Sequence, residues 1–229
     1  MKKYKQLLNT LTSIAAGITI SLNVLYYNIR IDHILGKIIA VIIMDLLTFA
    51  AVYTCISRLY REVVWKRLNK SLYIDGEWYH VHIIDGAYDY IRIGTVHIRQ
   101  QLYEVKMKGR NYNIRYDCEE DSITVIEEQC TNWMEDSTLD DSGRVVGIYT
   151  ADRTFGNFSK RHGIHIFELG LSNDYPQRIS GSFFDTSPYN RIGVIELFRD
   201  KAQRDAFVRT RCQGKIQEGR RAFTSKVMD

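Results

Sequence analysis

The chain opens with two long apolar runs and then changes period. The first run, Leu7 to Tyr27, reads LLNTLTSIAAGITISLNVLYY, and the second spans Ile38 to Ile56. Each is about 20 residues long, and ~20 helical residues rising ~1.5 Å each cross the ~30 Å hydrocarbon core of a bilayer. The first run exceeds the ~7–15 residues of a secretory signal core. The pattern predicts a transmembrane hairpin with helices over about 7–27 and 34–57. Within residues 7–57 the only full charges are Arg30, Asp32, Lys37 and Asp45, the last at the centre of IIAVIIMDLLTFAAV.

Beyond Leu72 the period becomes two. GEWYHVHIID (76–85) sets Tyr79, Val81 and Ile83 against Trp78, His80 and His82. Further runs rich in β-branched and aromatic residues fall at about 91–99, 102–108, 112–117, 122–128, 144–151, 164–170, 178–185 and 192–198. Between them stand turn signals such as DGAYD, KGRN, EEDS, DDSGR, KRHG and SNDYP. No helical stretch separates these runs, so parallel crossovers are excluded and the sheet is antiparallel. The spacing predicts an up-and-down barrel of about eight strands, or a sandwich, closed by a short helix after Asp200. The organisation expected is therefore 1–70, two membrane helices with a basic juxtamembrane stalk, and 71–229, a β-barrel domain.

Charge adds orientation. Lys2, Lys3 and Lys5 precede the first helix, and Arg58, Arg61, Lys66, Arg67 and Lys70 follow the second. The connecting loop holds only Arg30 and Lys37. This bias places both termini in the cytoplasm. The net charge of the 229 residues is +4, too modest for a broad duplex-binding surface. Cys55, Cys118, Cys130 and Cys212 are widely spaced, which reads as reduced structural thiols.

The search for chemistry returns no nucleophile elbow, phosphate loop or zinc-protease motif, so no enzyme and no cofactor are expected. His80 and His82 share a strand face, but no third metal ligand is identifiable. His162 and His165 straddle a turn and read as surface or edge residues. The acid-rich segment EEQCTNWMEDSTLDDSG (127–143) reads as a solvated loop. Arginines, aromatics and hydroxyls interleave on the strands, the mixture that pairs phosphates and stacks on bases, and one equally ordinary on a β-protein surface.

The order of parts is specific: a hairpin, a basic stalk, then a barrel opening on GEWYHV and continuing through QQLYEVKMKGRNYNI and RISGSFFDTSPYNRIGVIELFR. This resembles the two-transmembrane, β-strand-rich effector family of bacterial cyclic-oligonucleotide antiphage signalling (CBASS). The resemblance implies an antiphage effector of the inner membrane, linked to a nucleotidyltransferase-type cyclase. Its barrel would bind a cyclic nucleotide, a cyclic dinucleotide first of all, oligomerise, and disrupt the membrane through its helices, with abortive cell death. Under that reading, Trp78 facing inward would bring His80 with it. Tyr149 and Phe184 are the stacking candidates, Arg92, Arg115 and Arg153 the phosphate contacts, and Thr150 and Ser182 the donors. A one-residue change of register would exchange the inward and outward sets. The alternative is a membrane-tethered, lipocalin-like carrier of a lipid or other hydrophobe, for which Gly76-Glu77-Trp78 has the G-x-W texture.

Asp45 has two readings. A carboxylate near the bilayer midplane costs roughly 2.5–3.5 kcal/mol on insertion scales, so it normally faces protein. Thr12 and Thr19 lie on a small, polar seam of the first helix, and Thr48 is one turn from Asp45. These residues either hold the hairpin together or pair between chains to line a polar path.

Overall fold

A computed structural model of the chain describes residues 2–26, 34–84, 90–117, 119–153, 160–170, 172–187 and 190–217. The chain divides into two compact units, Met1–Leu68 and Asn69–Asp229.

The first unit is helical. Helix α1 runs Lys2–Tyr26 and α2 runs Ile34–Leu59, continuing through a π-helical turn at Tyr60–Val64 into α3, Trp65–Leu68. The stretch Ile38–Leu68 contains an 18-residue window of mean hydropathy 2.2 and is long and apolar enough to cross a membrane. Among the described residues, the apolar stretch of α1 is Asn9–Leu22. Helices α1 and α2 are in contact. On α1, Leu11, Ala15 and Thr19 recur every fourth residue and are buried, and the Thr19 hydroxyl donates to the Ala15 carbonyl at 2.8 Å. Thr12 lies on the exposed face, while Asp45 and Thr48 are half-buried, three residues apart on one side of α2.

The second unit is a closed antiparallel barrel with strand order β1 to β8 in sequence. The strands are β1 (Gly76–Ile84), β2 (Tyr90–Gln101), β3 (Glu104–Asp117), β4 (Ser122–Leu139), β5 (Arg144–Arg153), β6 (Arg161–Glu168), β7 (Arg178–Ser187) and β8 (Ile192–Phe198). Three expectations need correction. The runs at 102–108 and 112–117 are one strand, so KGRN is no turn. The segment 127–143 is for the most part strand, because β4 extends to Leu139. KRHG lies largely inside β6.

Contacts across the lumen identify the inner face. The Trp133 ring on β4 lies 5.8 Å from His80 and 6.0 Å from His82, both on β1, which is not a neighbour of β4 in the sheet. Trp78, His80 and His82 therefore point inward and Val81 and Ile83 outward. Those outer residues are nevertheless buried, because helix α4 (Lys201–Gln217) lays Val208 and Cys212 over them together with Ile91, Ile93 and Ile114.

Large inward side chains are seated by a repeated device. Cross-strand pairs repeatedly set a bulky or bonded side chain opposite a glycine, among them His80–Gly94, Trp133–Gly109, Ser137–Gly147, Tyr149–Gly163, Phe167–Gly181 and Phe183–Gly193. A Cβ on Gly181 would lie 2.6 Å from Phe167 Cδ1, and one on Gly109 would overlap the Trp133 indole. The glycines are thus space for the neighbour's ring, as when aromatic residues cover glycines in strands.

The end of the barrel where the chain enters is sealed. Gln100 accepts from the Ile74 amide at 2.8 Å and donates to the Leu72 carbonyl at 2.9 Å, tying the entering segment across the opening. Trp78 donates its indole N–H to the Ile74 carbonyl at 2.7 Å, and the Arg199 guanidinium caps its ring at 3.9 Å.

Gly109→Ala is expected to destabilise the barrel by about 1–3 kcal/mol, the usual range for overpacking. Gly170→Ala, whose Cβ meets nothing within 4 Å, is expected to change stability by less than about 0.5 kcal/mol. Denaturant midpoints of the two variants in detergent check the contrast.

Candidate functional site

The inward residues change character along the barrel axis. Toward the sealed end, Trp78, Ile98, Met107, Phe167, Ile195 and Leu197 are fully buried and fill the lumen. Toward the opposite end, where β1 meets β2 and β5 meets β6, the same inward parity delivers polar groups. There His82, Arg92, Asn111, Thr131, Tyr149, Arg161 and Asp185, with Trp133, His165 and Phe183, surround a cavity of about 40 Å³. At ~10–15 Å³ per water-sized occupant, it has room for roughly three waters.

Both irregularities in the strand register lie at this end. Between Tyr112 and Asn113 the partner of β3 jumps from Cys130 to Ile126, so β4 carries extra residues there. Between His162 and Gly163 the partner jumps from Ser187 to Asp185, and the extra Thr186 hydroxyl donates to the His162 carbonyl at 3.0 Å. Bulges of this kind bend a strand and re-aim its side chains at the rim of a barrel. Here they flank Asn111 on one side and Asp185 on the other.

The polar groups are tied together beneath the cavity. Trp133 Nε1 donates to Asn111 Oδ1 at 2.9 Å, and the same oxygen bonds to His80 Nε2. His165 bonds through Nδ1 to Glu135 Oε2, whose other oxygen accepts from the Ser137 hydroxyl. A carboxylate partner makes that Nδ1 the protonated nitrogen. The Tyr149 hydroxyl donates to Asp185, and its ring stacks on His165 at 4.2 Å between centroids. Burial, reinforced by the Asp185 carboxylate, pushes the Tyr149 phenol well above its ordinary value.

The histidines of β1 are held neutral. Desolvation drives His80 down to about 3; its Asn111 bond opposes that and the positive fields of Arg204 and His165 add to it. His82 also lies well below its ordinary value, first through desolvation and then through the proximity of His80, His165 and Arg92. Among the described residues, no group of three or more His, Cys, Asp or Glu has metal-binding geometry.

Of the residues singled out in the sequence, Arg92 and Tyr149 line the cavity. His80 sits one layer deeper, bonded to Asn111, and Trp78 belongs to the plug at the sealed end. Arg115 is exposed beyond the β3–β4 register shift and does not line the cavity. Thr150 faces outward and bonds to His162 Nδ1 at 3.2 Å. Ser182 and Phe184 also face outward, because Phe183 between them points into the lumen. The Arg153 side chain lies outside the described residues. His162 and His165 do not straddle a turn: both are on β6, three apart, with His162 exposed and His165 buried.

Phe184 and Ser182 have a different setting from the one sought. Register aligns Ile148, Ile164, Phe184 and Ile192 across β5 to β8, and Val146, Ile166, Ser182 and Val194 in the next row. Ile148 is 67% exposed and Ile192 54%, so this outer face is apolar and uncovered in the single chain.

Sequence reasoning missed Asn111, Trp133, Arg161, His165 and Asp185. A signal was present for Trp133: TNWMEDSTL alternates, and a tryptophan in that alternation marks an inward strand position more strongly than its acids mark a loop.

Fold and site together define the class: a chain with an apolar, membrane-length helix and a closed eight-stranded barrel with a donor-lined cavity at one end. No protein-family model matches the chain, and no curated protein matches it.

Acidification is expected to unfold the barrel through the two neutral histidines. Between about pH 3 and pH 6.5 the unfolded chain binds protons at His80 that the folded chain does not, so stability falls as pH drops below 6.5 and is flat above it. Unfolding free energy measured against pH should show this slope, and His80→Gln should reduce it by about one proton.

Proposed function

We propose that this protein is a membrane-anchored sensor of a cyclic nucleotide and the effector of a CBASS-type antiphage system. In this reading the barrel binds the second messenger, a cyclic dinucleotide most directly, at the donor-lined end of its lumen. The observation that carries the reading is the change of character within one barrel. An eight-stranded lumen of this width fills with side chains unless it holds a small ligand. This one is packed with apolar side chains at one end and presents two arginines, two histidines, an asparagine, two hydroxyls and one carboxylate at the other. Such a set suits phosphate, which arginine pairs bidentately, and Trp133 and Phe183 add ring surfaces of the kind that bases stack against.

The remaining parts fit the same account. Helices α1 and α2 form a two-pass hairpin with both termini in the cytoplasm, supported by Lys2, Lys3 and Lys5 in the first turns of α1 and by Arg58, Arg61, Lys66 and Arg67 after the apolar core of α2. The host compartment is the bacterial inner membrane. Ligand binding favours association of chains, for which the exposed rows of Ile148 and Val146 supply an apolar face. Association brings Asp45, Thr48 and Thr19 of neighbouring chains together and disrupts the bilayer, without catalysis. The cyclase that makes the messenger is the functional partner. A lipid carrier would require an apolar, open lumen, whereas here the apolar half is filled and the open half is polar.

The test uses the full chain in detergent with a panel of cyclic di- and trinucleotides, followed by thermal shift and particle size. At least one should raise the melting temperature and the oligomer size, and Arg161→Met should weaken that ligand about tenfold or more. A panel without any response sinks the sensor reading. Asp45→Leu is expected to leave ligand binding and membrane insertion intact while abolishing toxicity in cells producing the messenger. Unchanged toxicity would limit Asp45 to holding α1 and α2 together.

A further inference from the structure

The cavity is much smaller than the ligand assigned to it. Sites that enclose a whole small ligand run to ~300–1,000 Å³, against about 40 Å³ here. A cyclic dinucleotide cannot lie inside. A small anionic group of it can.

The hydrogen-bonding of the cavity floor says which kind of group. An indole N–H only donates, so the atom of Asn111 that Trp133 meets at 2.9 Å is the carbonyl oxygen. His80 Nε2 occupies that oxygen's second lone pair. With both lone pairs engaged by groups beneath, the two N–H bonds of the Asn111 amide are left for the cavity that the residue lines. The orientation of the amide is therefore set by its own neighbours. A second group points the same way. His82 is only 6% exposed, lines the cavity, and its Nδ1 has no hydrogen-bond partner among the described residues. Arg92 and Arg161 contribute two guanidiniums to the lining against one carboxylate, Asp185, which already accepts from Tyr149. Glu135, which lies beneath the cavity, is taken up by His165 and Ser137.

We propose that this cavity is a subsite for a single phosphodiester monoanion, whose non-bridging oxygens accept from the Asn111 amide and meet His82 between Arg92 and Arg161. The proposal rests on the cyclic-nucleotide reading of the same end of the barrel and sharpens it. One phosphate enters and the sugars and bases stay outside, at the mouth. Recognition of the linkage then resides in the floor, and recognition of the bases in whatever surrounds the opening.

The probes are inorganic phosphate and dimethyl phosphate, titrated into the full chain in detergent at constant ionic strength. Melting temperature and the ¹⁵N resonances of the histidine rings are followed. Saturable stabilisation by dimethyl phosphate, with a shift of the His82 Nδ1 resonance, is expected. Asn111→Asp, which exchanges two donors for a charge in the same shape, should weaken binding about tenfold or more. Thr150→Val, on the outer face, should leave it unchanged. If Asn111→Asp does not fold, the His82 resonance in the unaltered chain decides alone. Two results overturn the proposal while sparing the sensor reading. One is a cyclic nucleotide that binds while neither phosphate probe does. The other is saturable phosphate binding that leaves His82 unperturbed. If neither the probes nor any cyclic nucleotide binds, both readings fail.

Discussion

Large inward side chains crowd the lumen of an eight-stranded barrel, and the structure depends on how this chain makes room for them. Each of the eight strand pairings sets a large or hydrogen-bonded inward side chain directly opposite a glycine. Each of these side chains has the bare backbone of a neighbouring strand on one side, which leaves room for its contacts with other rings on the others. The lumen can therefore hold Trp133, Tyr149, Phe167 and Phe183 at once, and close packing of that kind is what gives a protein interior its rigidity. The polar cavity exists because these rings hold its walls apart and because Trp133 fixes Asn111 from below.

The same constraint separates the two ends. At the entry end apolar side chains, Gln100 and the capped Trp78 seal the lumen, and the segment that enters the barrel is bonded into the plug. At the far end two register shifts loosen the ladder and the lining becomes polar. A buried donor that lacks a partner costs free energy, so a floor of donors facing a small space is stabilised when an acceptor arrives. That is the physical content of the sensor reading. The outer surface carries its own division: α4 covers the apolar residues of β1 to β3, whereas the rows running from Ile148 and Val146 across to β8 stay uncovered.

Period-two alternation and the absence of crossover helices were enough to read an antiparallel barrel or sandwich of about eight strands, and the GEWYHVHII strand was placed to within a residue. The inward face was harder. In β1 both faces are buried, Val81 and Ile83 under α4 and His80 and His82 in the lumen, so hydrophobicity alone points the wrong way. Phe184 misleads for the same reason, since its neighbour Phe183 is equally aromatic and only the ladder decides between them. Gly109 and Gly163 looked like turn signals because local sequence cannot show that a ring from another strand needs the space. The asparagine that organises the cavity floor lies within KGRN, and its role depends on Trp133, 22 residues away.

The central claim is that the donor-lined end of the lumen receives the ligand. Photo-crosslinking tests it most directly: a cyclic dinucleotide carrying an azide on its base is irradiated with the full chain, and the adducts are located by mass spectrometry. The account predicts adducts clustered around the cavity mouth, on the β1, β2, β5, β6 and β7 segments that carry His82, Arg92, Ala151, Arg161 and Asp185, and their loss in the presence of unlabelled ligand. Adducts on the outer rows around Ile148 and Ile192, on the helices, or none that unlabelled ligand displaces, would contradict it.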